Sequence, residues 1–329
     1  MLYLHNPKTM TMKRFTITFL LGFALLLSSC HSNQQTNTIT IFHAGSLAMP
    51  IKAIADSFKV LHPDVTFRLE AAGSVECARK ITEFNRQCDI MASADYKIID
   101  ELLIPDYADW NVLFSGNEMS LVHTKQSRHA NDINGDNWYE ILAKPEVSYG
   151  RSDPNADPCG YRTLLTLQLA EQHYQKPGLA KAIAEKDNRF IRPKEVDLIA
   201  LLESGAIDYI FLYRSVAVQH GLEYVTLPDE INLGNPSLSD LYSGVHLRIR
   251  GAAVGDSLTL YGEPMVYGIT IPSNASNREM AMEYLKLFLH PHKGLKTIEQ
   301  MGMIPLNPLI IHNEDGMDKD LREELTGHP

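Results

Sequence analysis

Three short turns in the first third of the chain combine small residues with serine, and each lies between a predicted strand and a predicted helix. Their sequences are HAGS at 43–46, AAGS at 71–74 and SAD at 93–95. The first backbone N–H groups of a helix have no partner inside the helix, and the helix dipole favours negative charge there. The hydroxyl groups of Ser46 and Ser74 would add hydrogen-bond donors beside Gly45. The turns therefore indicate an anion-binding site, although both serines could instead be plain N-caps.

The elements around these turns should place them along one edge of a sheet. Strand-like alternation begins at Thr38, and two further strands are predicted at Val65–Leu69 and Asp89–Ala92. Apolar residues at helical spacing predict a helix over Leu47–Leu61. Since a helix follows each strand, we expect parallel strands, and ligands bind at the carboxyl edge of open α/β sheets. Ser93 is therefore a further candidate contact.

Two apolar strands, predicted at Met119–Thr124 and Met265–Ile271, bracket a middle block of alternating strands and helices. A chain that leaves one α/β domain, builds another and returns gives two lobes joined by two crossings, with a cleft and a hinge. About 290 residues remain beyond the N-terminal segment, which is enough for two domains. We therefore predict a two-lobed α/β fold in which residues 38–121 and 267–329 form lobe I and residues 122–266 form lobe II.

Candidate ligand-binding residues in the middle block lie at the starts of two predicted helices and at the end of one strand. Asp157 precedes Pro158, and this order is typical of an N-cap followed by proline at the first helical position. Glu195 falls in the first turn of a helix, where the dipole alone favours a carboxylate. Tyr213 ends a buried strand, and its hydroxyl group could bond elsewhere in the core. From the residues alone, capping explains Asp157 and Glu195 better than ligand binding does.

The first 29 residues are predicted to be a signal peptide. Lys13 and Arg14 precede an uncharged run at 15–27, and small residues then lead to Cys30. The uncharged run of about 13 residues is too short to cross a bilayer as a helix, which disfavours a transmembrane anchor. A cleavage point directly before a cysteine resembles the lipobox of bacterial lipoproteins, which implies lipidation of Cys30 and a tether at 30–37.

The acidic composition limits the possible partners. The formal net charge is −10, and loss of the three basic residues of the signal peptide makes it −13. An acidic protein is a poor candidate for binding nucleic acid or anionic lipid surfaces. The motifs GxGxxG, Walker A, HExxH and CxxC do not occur in the sequence. We expect Cys77, Cys88 and Cys159 to be free thiols.

Nine motifs lie in order between His43 and Leu233, within a resemblance that extends over about residues 38–305. They are HAGSL, AAGS, SADY, ADWN, DNWYEIL, SDPNADPCGYR, EVDLIALLESGAIDY, YRSVAVQHGLEYV and LPDEINL. Together they resemble the archaeal-type tungstate/molybdate-binding proteins of ABC importers. The resemblance implies the class II periplasmic-binding-protein architecture, in which two α/β lobes close on an oxyanion. The chain departs from that family at Cys159, where relatives can have alanine, and between Gln175 and Ile191, where relatives can carry an insertion.

The resemblance also implies a set of ligand contacts. Asp157 and Glu195 would bind the metal centre of the oxyanion, because oxygen ligands suit a hard, high-valent metal. The oxygen atoms of the anion would be contacted by Gly45, Ser46, Ser74, Tyr213 and the backbone around Pro158 and Cys159. A sulfate or phosphate centre accepts no further ligands, so the two carboxylates would repel those anions. A site built on neutral donors needs no cation, and we therefore expect Arg162 and Arg214 to form structural ion pairs.

The function that this resemblance implies is that of a substrate-binding protein, not an enzyme. It would capture tungstate or molybdate, need no cofactor, and deliver the anion to an ABC permease with a cytoplasmic ATPase. The lipid on Cys30 would hold it, as a monomer, in the periplasm or at the outer face of a membrane. Two alternatives stay open: a sulfate- or phosphate-type oxyanion-binding protein, and a secreted hydrolase that uses Asp157 and Glu195 as acid and base.

Overall fold

The computed structural model describes residues 37–251 and 255–326. The predicted signal peptide and Cys30 lie outside these described residues. From Thr38 onward the chain forms a unit of its own, whose framework is two mixed sheets and a hairpin. Within the described ranges, none of the helices has the length and apolar character that a membrane span requires.

Thirteen strands lie within the described residues. In chain order they are β1 (Thr38–Ala44), β2 (Thr66–Ala72), β3 (Ile90–Ser93), β4 (Asn111–Gly116), β5 (Met119–His123), β6 (Tyr149–Ser152), β7 (Ile191–Arg192), β8 (Tyr209–Tyr213), β9 (Glu223–Thr226), β10 (His246–Arg250), β11 (Ser257–Tyr261), β12 (Val266–Thr270) and β13 (Ile304–His312).

The first helix follows the predicted spacing of apolar residues most clearly. It buries Ile51, Ile54 and Phe58 and ends before Pro63. Within the same ranges the α-helices are α1 (Ala48–Leu61), α2 (Ser74–Thr82), α3 (Tyr96–Leu102), α4 (Trp138–Leu142), α5 (Pro158–His173), α6 (Leu179–Glu185), α7 (Ile199–Glu203), α8 (Arg214–His220), α9 (Asp229–Asn232), α10 (Ser239–Tyr242), α11 (Arg278–Leu289), α12 (Gly294–Gln300) and α13 (Lys319–Thr326). The 3-10 turns are Gly45–Leu47, Asn188–Phe190, Glu195–Leu198, Pro236–Leu238 and Glu314–Gly316.

The larger sheet has six strands in the order β13-β4-β12-β3-β1-β2. β1 runs parallel to both of its neighbours, β2 and β3, which confirms the predicted arrangement of the first three strands. Their carboxyl ends share one edge, and the turns with Ser46, Ser74 and Ser93 therefore lie along it. β12 is antiparallel to β3 and β4, so the sheet is mixed.

The second sheet has five strands in the order β7-β6-β8-β5-β9. β6 is parallel to β7 and β8, whereas β5 is antiparallel to β8 and β9. β10 and β11 form a separate antiparallel hairpin. The polar, glycine-containing sequence of this region predicts one edge strand, near Val245–Ile249, and the structure pairs that strand with β11, which the sequence does not indicate.

The chain changes sheets twice, and this confirms the two-lobed α/β architecture. It leaves the six-stranded sheet after β4, passes through Asn117 and Glu118 into β5, and returns to the first sheet as β12. The predicted division after residue 121 falls inside β5, all five residues of which pair with β8. The first crossing in the structure therefore lies a few residues earlier. Lobe I is the part built on the six-stranded sheet, and lobe II is the part built on the five-stranded sheet.

Two strands of the larger sheet are not predicted from the sequence. In β4 the apolar run Val112–Phe114 is short and flanked by polar residues, so it resembles a connection, yet it is buried in the sheet. β13 contains Pro305 and Pro308, which argue against an inner strand. It lies at the edge of the sheet, and its register with β4 is interrupted between Pro305 and Ile310. Edge position and irregular pairing explain how this sequence forms a strand.

The cysteines of the described chain are free and buried: Cys77, Cys88 and Cys159. Burial raises the pKa of the Cys77 thiol to about 12 and raises the pKa values of the other two thiols as well. They stay protonated at neutral pH and pack as small apolar groups.

Candidate functional site

The turn after β1 lies directly against a carboxyl group of lobe II. Ser46 is fully buried, and its Oγ accepts a hydrogen bond of 3.0 Å from the hydroxyl of Tyr267. A Cβ on Gly45 would lie 3.0 Å from Oε1 of Glu195 and 3.1 Å from its Oε2. A side chain at this position would press on the carboxyl group and would require it to shift by a few tenths of an ångström.

The turn after β2 contacts lobe II in the same manner. A Cβ on Gly73 would lie 2.1 Å from the carbonyl oxygen of Ala156 and 2.9 Å from Cβ of Asp157. Ser74 is fully buried, and its Oγ accepts a hydrogen bond of 2.9 Å from the N–H of Ala94. Ser74 is the first residue of α2 and Gly73 is its N-cap, so this serine is not the cap.

Ser46 is not a cap either, since the residue before its 3-10 turn is Ala44, which has no capping side chain. The hydroxyl of Ser93 is used within its own turn, where it donates to the carbonyl of Asp95 and accepts from the N–H of the same residue. The plain N-cap alternative is therefore wrong for Ser46 and Ser74.

Asp157 forms the N-cap that its position before Pro158 indicated. Its Oδ1 accepts from the N–H of Cys159 at 3.2 Å, and its Oδ2 accepts from the N–H of Glu195 at 2.8 Å. The carboxyl group is buried, and burial raises its pKa although these hydrogen bonds act in the opposite direction. Pro158 has no N–H group, and the N–H of Cys159 is directed at Asp157. Asp157 thus joins the start of α5 to the turn that carries Glu195.

Glu195 opens the 3-10 turn Glu195–Leu198 and has no exposed surface. In the part of the chain that the structure describes, neither of its Oε atoms makes a well-formed hydrogen bond, although the N–H of Ser46 lies near enough to lower its pKa and the carboxyl group of Asp157 lies near enough to raise it. Burial, followed by the negative charge of Asp157, raises the pKa of this carboxyl group well above its usual range. A buried carboxyl group that is poorly paired with donors is costly to keep ionised. Glu195 is therefore the polar group at this site that most needs a ligand.

Tyr213 lies at the end of β8, fully buried, and its hydroxyl oxygen accepts from Nη1 of Arg162 at 3.1 Å. Arg162 also donates to the carbonyl of Ala94 at 2.6 Å and pairs with Asp95 at 3.2 Å. Arg214 pairs with Glu118 at 2.7 Å. The prediction that both arginines form ion pairs is confirmed. The Arg162 pair joins the two lobes, because Asp95 follows β3 and Arg162 lies in α5.

Three polar residues at this site were missed in the sequence: Asn117, Ser215 and Tyr267. The amide of Asn117 donates to Ser215 Oγ at 2.7 Å and to the hydroxyl of Tyr267 at 3.0 Å. Asn117 lies at the first crossing, and Tyr267 lies in the strand that completes the second. The one available signal was a polar residue just before the apolar strand predicted at Met119–Thr124, and it pointed only to a connection.

His43 is buried beside the first turn, and its Nδ1 lies 2.8 Å from the carbonyl oxygen of Ala44. Burial lowers the pKa of this imidazole to about 4, so it is neutral at pH 7. Within residues 37–251 and 255–326, no cluster of three or more His, Cys, Asp or Glu side chains is placed to hold a metal ion.

The structure thus brings together turns from both lobes. Gly45 and Glu195 are in contact, Gly73 abuts Asp157, and the N–H of Glu195 bonds to Asp157. Hydroxyl groups of Ser46, Ser74 and Tyr213 end close to these turns, all of them buried. The site therefore combines neutral hydrogen-bond donors, suited to the oxygen atoms of an anion, with two carboxyl groups. It lies between the lobes, so opening of the lobes would expose it.

Comparison with known proteins gives relatives along nearly the whole chain. A family model described as bacterial extracellular solute-binding protein matches residues 39–304. A solute-binding protein of Petrotoga mobilis is 42% identical, with 95% of this chain and 98% of that protein covered. A protein of Pyrococcus abyssi named molybdate/tungstate-binding protein WtpA is 43% identical, with 89% of this chain and 92% of that protein covered.

Solved structures share the fold at low sequence identity. The periplasmic molybdate-binding protein of Azotobacter vinelandii superposes with a TM-score of 0.56 at 13% identity, covering 81% of this chain and 98% of its own. The sulfate-binding protein SubI of Mycobacterium tuberculosis H37Rv superposes with a TM-score of 0.58 at 12% identity, covering 82% of this chain and 88% of its own. These two likenesses establish the fold alone. The family match over 39–304 and the 42% identity to the Petrotoga mobilis protein lead to one conclusion: the chain belongs to the bacterial extracellular solute-binding protein family.

Proposed function

We propose that the protein captures tungstate, molybdate or both between its lobes and delivers the anion to an ABC permease with a cytoplasmic ATPase. Support comes from the Pyrococcus abyssi relative, which is named as a molybdate/tungstate-binding protein and is 43% identical. A relative from Thermococcus kodakarensis with the same name is 40% identical. The protein acts by binding and needs no cofactor.

The observation that carries this proposal is the carboxyl group of Glu195. It is fully buried and makes no well-formed hydrogen bond among the described residues, although the N–H of Ser46 and the carboxyl group of Asp157 lie close to it. An unpaired carboxylate in such a place would cost several kcal/mol to desolvate. The hard, high-valent metal at the centre of tungstate or molybdate can accept its oxygen lone pairs, whereas the centre of sulfate cannot. The metal centre here is part of the transported anion.

The remaining contacts would bind the oxygen atoms of the anion. Ser46, Ser74 and Tyr213 offer hydroxyl groups, and the turns that begin at Gly45 and Gly73 offer backbone N–H groups. Asp157, already bonded to two N–H groups, can still donate lone pairs to the metal, because each carboxylate oxygen has more than one acceptor position. Sulfate would share the hydroxyl contacts, but it would meet the two carboxyl groups without compensation.

Competition calorimetry with tungstate, molybdate and sulfate tests this assignment. Glu195→Gln keeps the size of the side chain but weakens oxygen donation, so it should lower tungstate affinity at least tenfold, which is about 1.4 kcal/mol. The same variant should bind sulfate more tightly than wild type does, because repulsion is relieved. Glu203→Gln is a matched control, since Glu203 is exposed in α7, and it should leave both affinities unchanged.

The serines should behave differently from the carboxyl groups. Ser46→Ala and Ser74→Ala each remove one neutral donor, so they should weaken all three oxyanions by about 2- to 13-fold without changing their rank. If Glu195→Gln binds tungstate as tightly as wild type and still rejects sulfate, the carboxyl group is not a ligand. Selectivity would then have to come from the size of the site.

The cellular setting is part of the same proposal. We infer that the chain is exported, lipidated on Cys30, and held as a monomer at the outer face of a membrane by residues 30–37. The basic residues before an uncharged run that ends at Cys30 support it. Cys30→Ala should release the protein into the soluble fraction. A variant that stays with the membrane, together with a wild-type protein that carries no acyl mass, would contradict lipid anchoring.

A further inference from the structure

The side-chain amide of Asn117 has a fixed orientation. Its Oδ1 accepts from the N–H of Glu118 at 3.0 Å and from the N–H of Ser215 at 3.4 Å. Both groups can only donate, so the amide oxygen must face them and Nδ2 must face the opposite way. Nδ2 there donates to Ser215 Oγ at 2.7 Å and to the hydroxyl oxygen of Tyr267 at 3.0 Å.

This orientation of the Asn117 amide determines the direction of the hydrogen bond between the hydroxyl group of Tyr267 and Ser46. Because its oxygen accepts from Asn117, its single proton is available for the next oxygen, which is Ser46 Oγ at 3.0 Å. Asn117, Tyr267 and Ser46 are all buried, so water does not compete for these bonds. Ser46 Oγ is then the acceptor in this pair, and its own proton is left to be donated elsewhere.

The other two hydroxyl groups of the site are arranged in the same way. Ser74 Oγ accepts from the N–H of Ala94 at 2.9 Å, and the oxygen of Tyr213 accepts from Nη1 of Arg162 at 3.1 Å. A backbone N–H and a guanidinium group can only donate. Three hydroxyl groups from separate segments therefore each accept a hydrogen bond from the protein through their oxygen atom. Their three protons are left to donate to a bound group that can only accept hydrogen bonds.

We propose that Asn117 and Tyr267 are positioning residues for anion binding: they act as a donor relay that turns the hydroxyl proton of Ser46 toward the oxyanion. The relay rests on the proposed function and names residues that do not themselves contact the ligand. Tungstate and molybdate are acceptor-only ligands in their fully deprotonated form, and a site whose hydroxyl protons are fixed in advance loses less orientational freedom when it binds them.

The relay also joins the site to the hinge. Asn117 lies between β4 and β5 at the first crossing, and Tyr267 lies in β12, the strand that follows the second crossing. Asn117 bonds to Ser215 at the start of α8 in lobe II and, through Tyr267, to Ser46 in lobe I. The orientation of the Ser46 hydroxyl is thus set by a residue at the point where the lobes are connected.

A double-mutant cycle on tungstate affinity separates this relay from general support of the fold. Tyr267→Phe removes the proton that holds Ser46 Oγ, and we expect about a 5- to 10-fold loss of affinity by calorimetry. Ser46→Ala should give a loss of similar size. In the Ser46→Ala background, Tyr267→Phe should change affinity less than twofold, because the hydroxyl that it orients is already absent.

Tyr284→Phe is the matched control. Tyr284 is also a fully buried tyrosine of lobe I, and its hydroxyl donates to the carbonyl of Ile51 at 3.2 Å, away from the site. This variant should lose thermal stability but keep the wild-type affinity for tungstate. A second probe is Asn117→Asp, which replaces the donating NH₂ by an acceptor. It should reverse the relay and lower affinity at least as much as Tyr267→Phe does.

The outcomes that would overturn the relay are definite. Losses that add in the Tyr267→Phe/Ser46→Ala double variant would show that the two residues act independently. Wild-type affinity in folded Tyr267→Phe, or in folded Ser46→Ala, would show that the Ser46 hydroxyl is not an oriented donor. If folded wild-type protein does not bind tungstate or molybdate, the proposed function itself is rejected, and the relay falls with it.

Discussion

At the residue scale, burial strongly shifts the pKa of His43, which lies beside the candidate site. It lies two residues before Gly45 and is 2% exposed, and its Nδ1 lies 2.8 Å from the carbonyl oxygen of Ala44. Burial disfavours the charged imidazolium and lowers the pKa to about 4, partly offset by the bond to Ala44. A neutral ring at this position keeps positive charge out of a site whose donors are hydroxyl and N–H groups.

The depressed pKa of His43 predicts acid sensitivity. Between pH 6.5 and 4 the unfolded chain binds a proton that the folded chain does not, so the free energy of unfolding should fall as pH falls through this window. A shift from 6.5 to about 4 corresponds to a loss of up to about 3 kcal/mol. Urea denaturation at several pH values measures it. His43→Gln should remove this part of the pH dependence, and an unchanged slope in the variant would contradict the assignment.

The start of α5 combines two tasks within six residues, Asp157–Arg162. Asp157 caps the helix and bonds to the turn of Glu195, while Tyr161 and Arg162, one turn later, both contact Asp95 of lobe I. Asp95 in turn caps α3 through the N–H of Lys97. One helix start therefore carries a candidate ligand and a buried ion pair between the lobes, an arrangement that would couple lobe closure to ligand contact.

Asp95→Asn should weaken the closed form. It preserves size and a capping oxygen but leaves the buried Arg162 without its counter-charge, and breaking such a pair costs about 3–5 kcal/mol. Since Asp95 and Arg162 lie in different lobes, part of this cost destabilises the closed form. Tungstate should therefore dissociate at least ten times faster, which stopped-flow experiments can measure.

Asp56→Asn is the control for that experiment, because it breaks an exposed ion pair with Lys52. The side chains of Asp56 and Lys52 are 53% and 69% exposed. It should leave the dissociation rate unchanged. A dissociation rate for Asp95→Asn equal to that of the control would show that the Asp95–Arg162 pair does not contribute to closure.

On the scale of the whole molecule, contacts between the lobes extend well beyond the candidate site. Arg79 of α2 donates to the carbonyls of Asn155 and Arg250 in the loop before α5 and in β10. Arg250 also pairs with Glu83 at 3.0 Å. The hairpin β10–β11 thus bonds to α2 of lobe I and to Glu83, the residue that follows this helix. These contacts join lobes that are connected by two chain crossings, a geometry suited to hinge motion.

Small-angle scattering should detect that motion. A ligand that contacts both lobes stabilises the closed form by its differential affinity for the two forms. The radius of gyration of the ligand-free protein should therefore exceed the value with saturating tungstate, which should approach the roughly 19 Å of a compact chain of this length. An identical scattering curve with and without tungstate would exclude closure on the ligand and leave binding itself untouched.

Much of the local structure could be predicted from the sequence by itself. The serine-containing turns, the N-cap of Asp157 before Pro158 and the helix over 48–61 all follow from patterns within a few residues, since caps, turns and helical spacing depend on near neighbours in the chain. The parallel order of β1, β2 and β3 follows from the same alternation of strands and helices. Which residues of those turns bind an anion stays a prediction.

What only the tertiary structure decided are the contacts between distant segments. Tyr267 meets Asn117 across 150 positions and Ser46 across 221, and Asp95 meets Arg162 from the other lobe. No local pattern records such pairs, because they depend on strand order, on where the chain crosses between sheets and on how far the lobes close. β4 and β13 were missed for the same reason: their strand conformation is stabilised by neighbours that arrive from elsewhere in the chain.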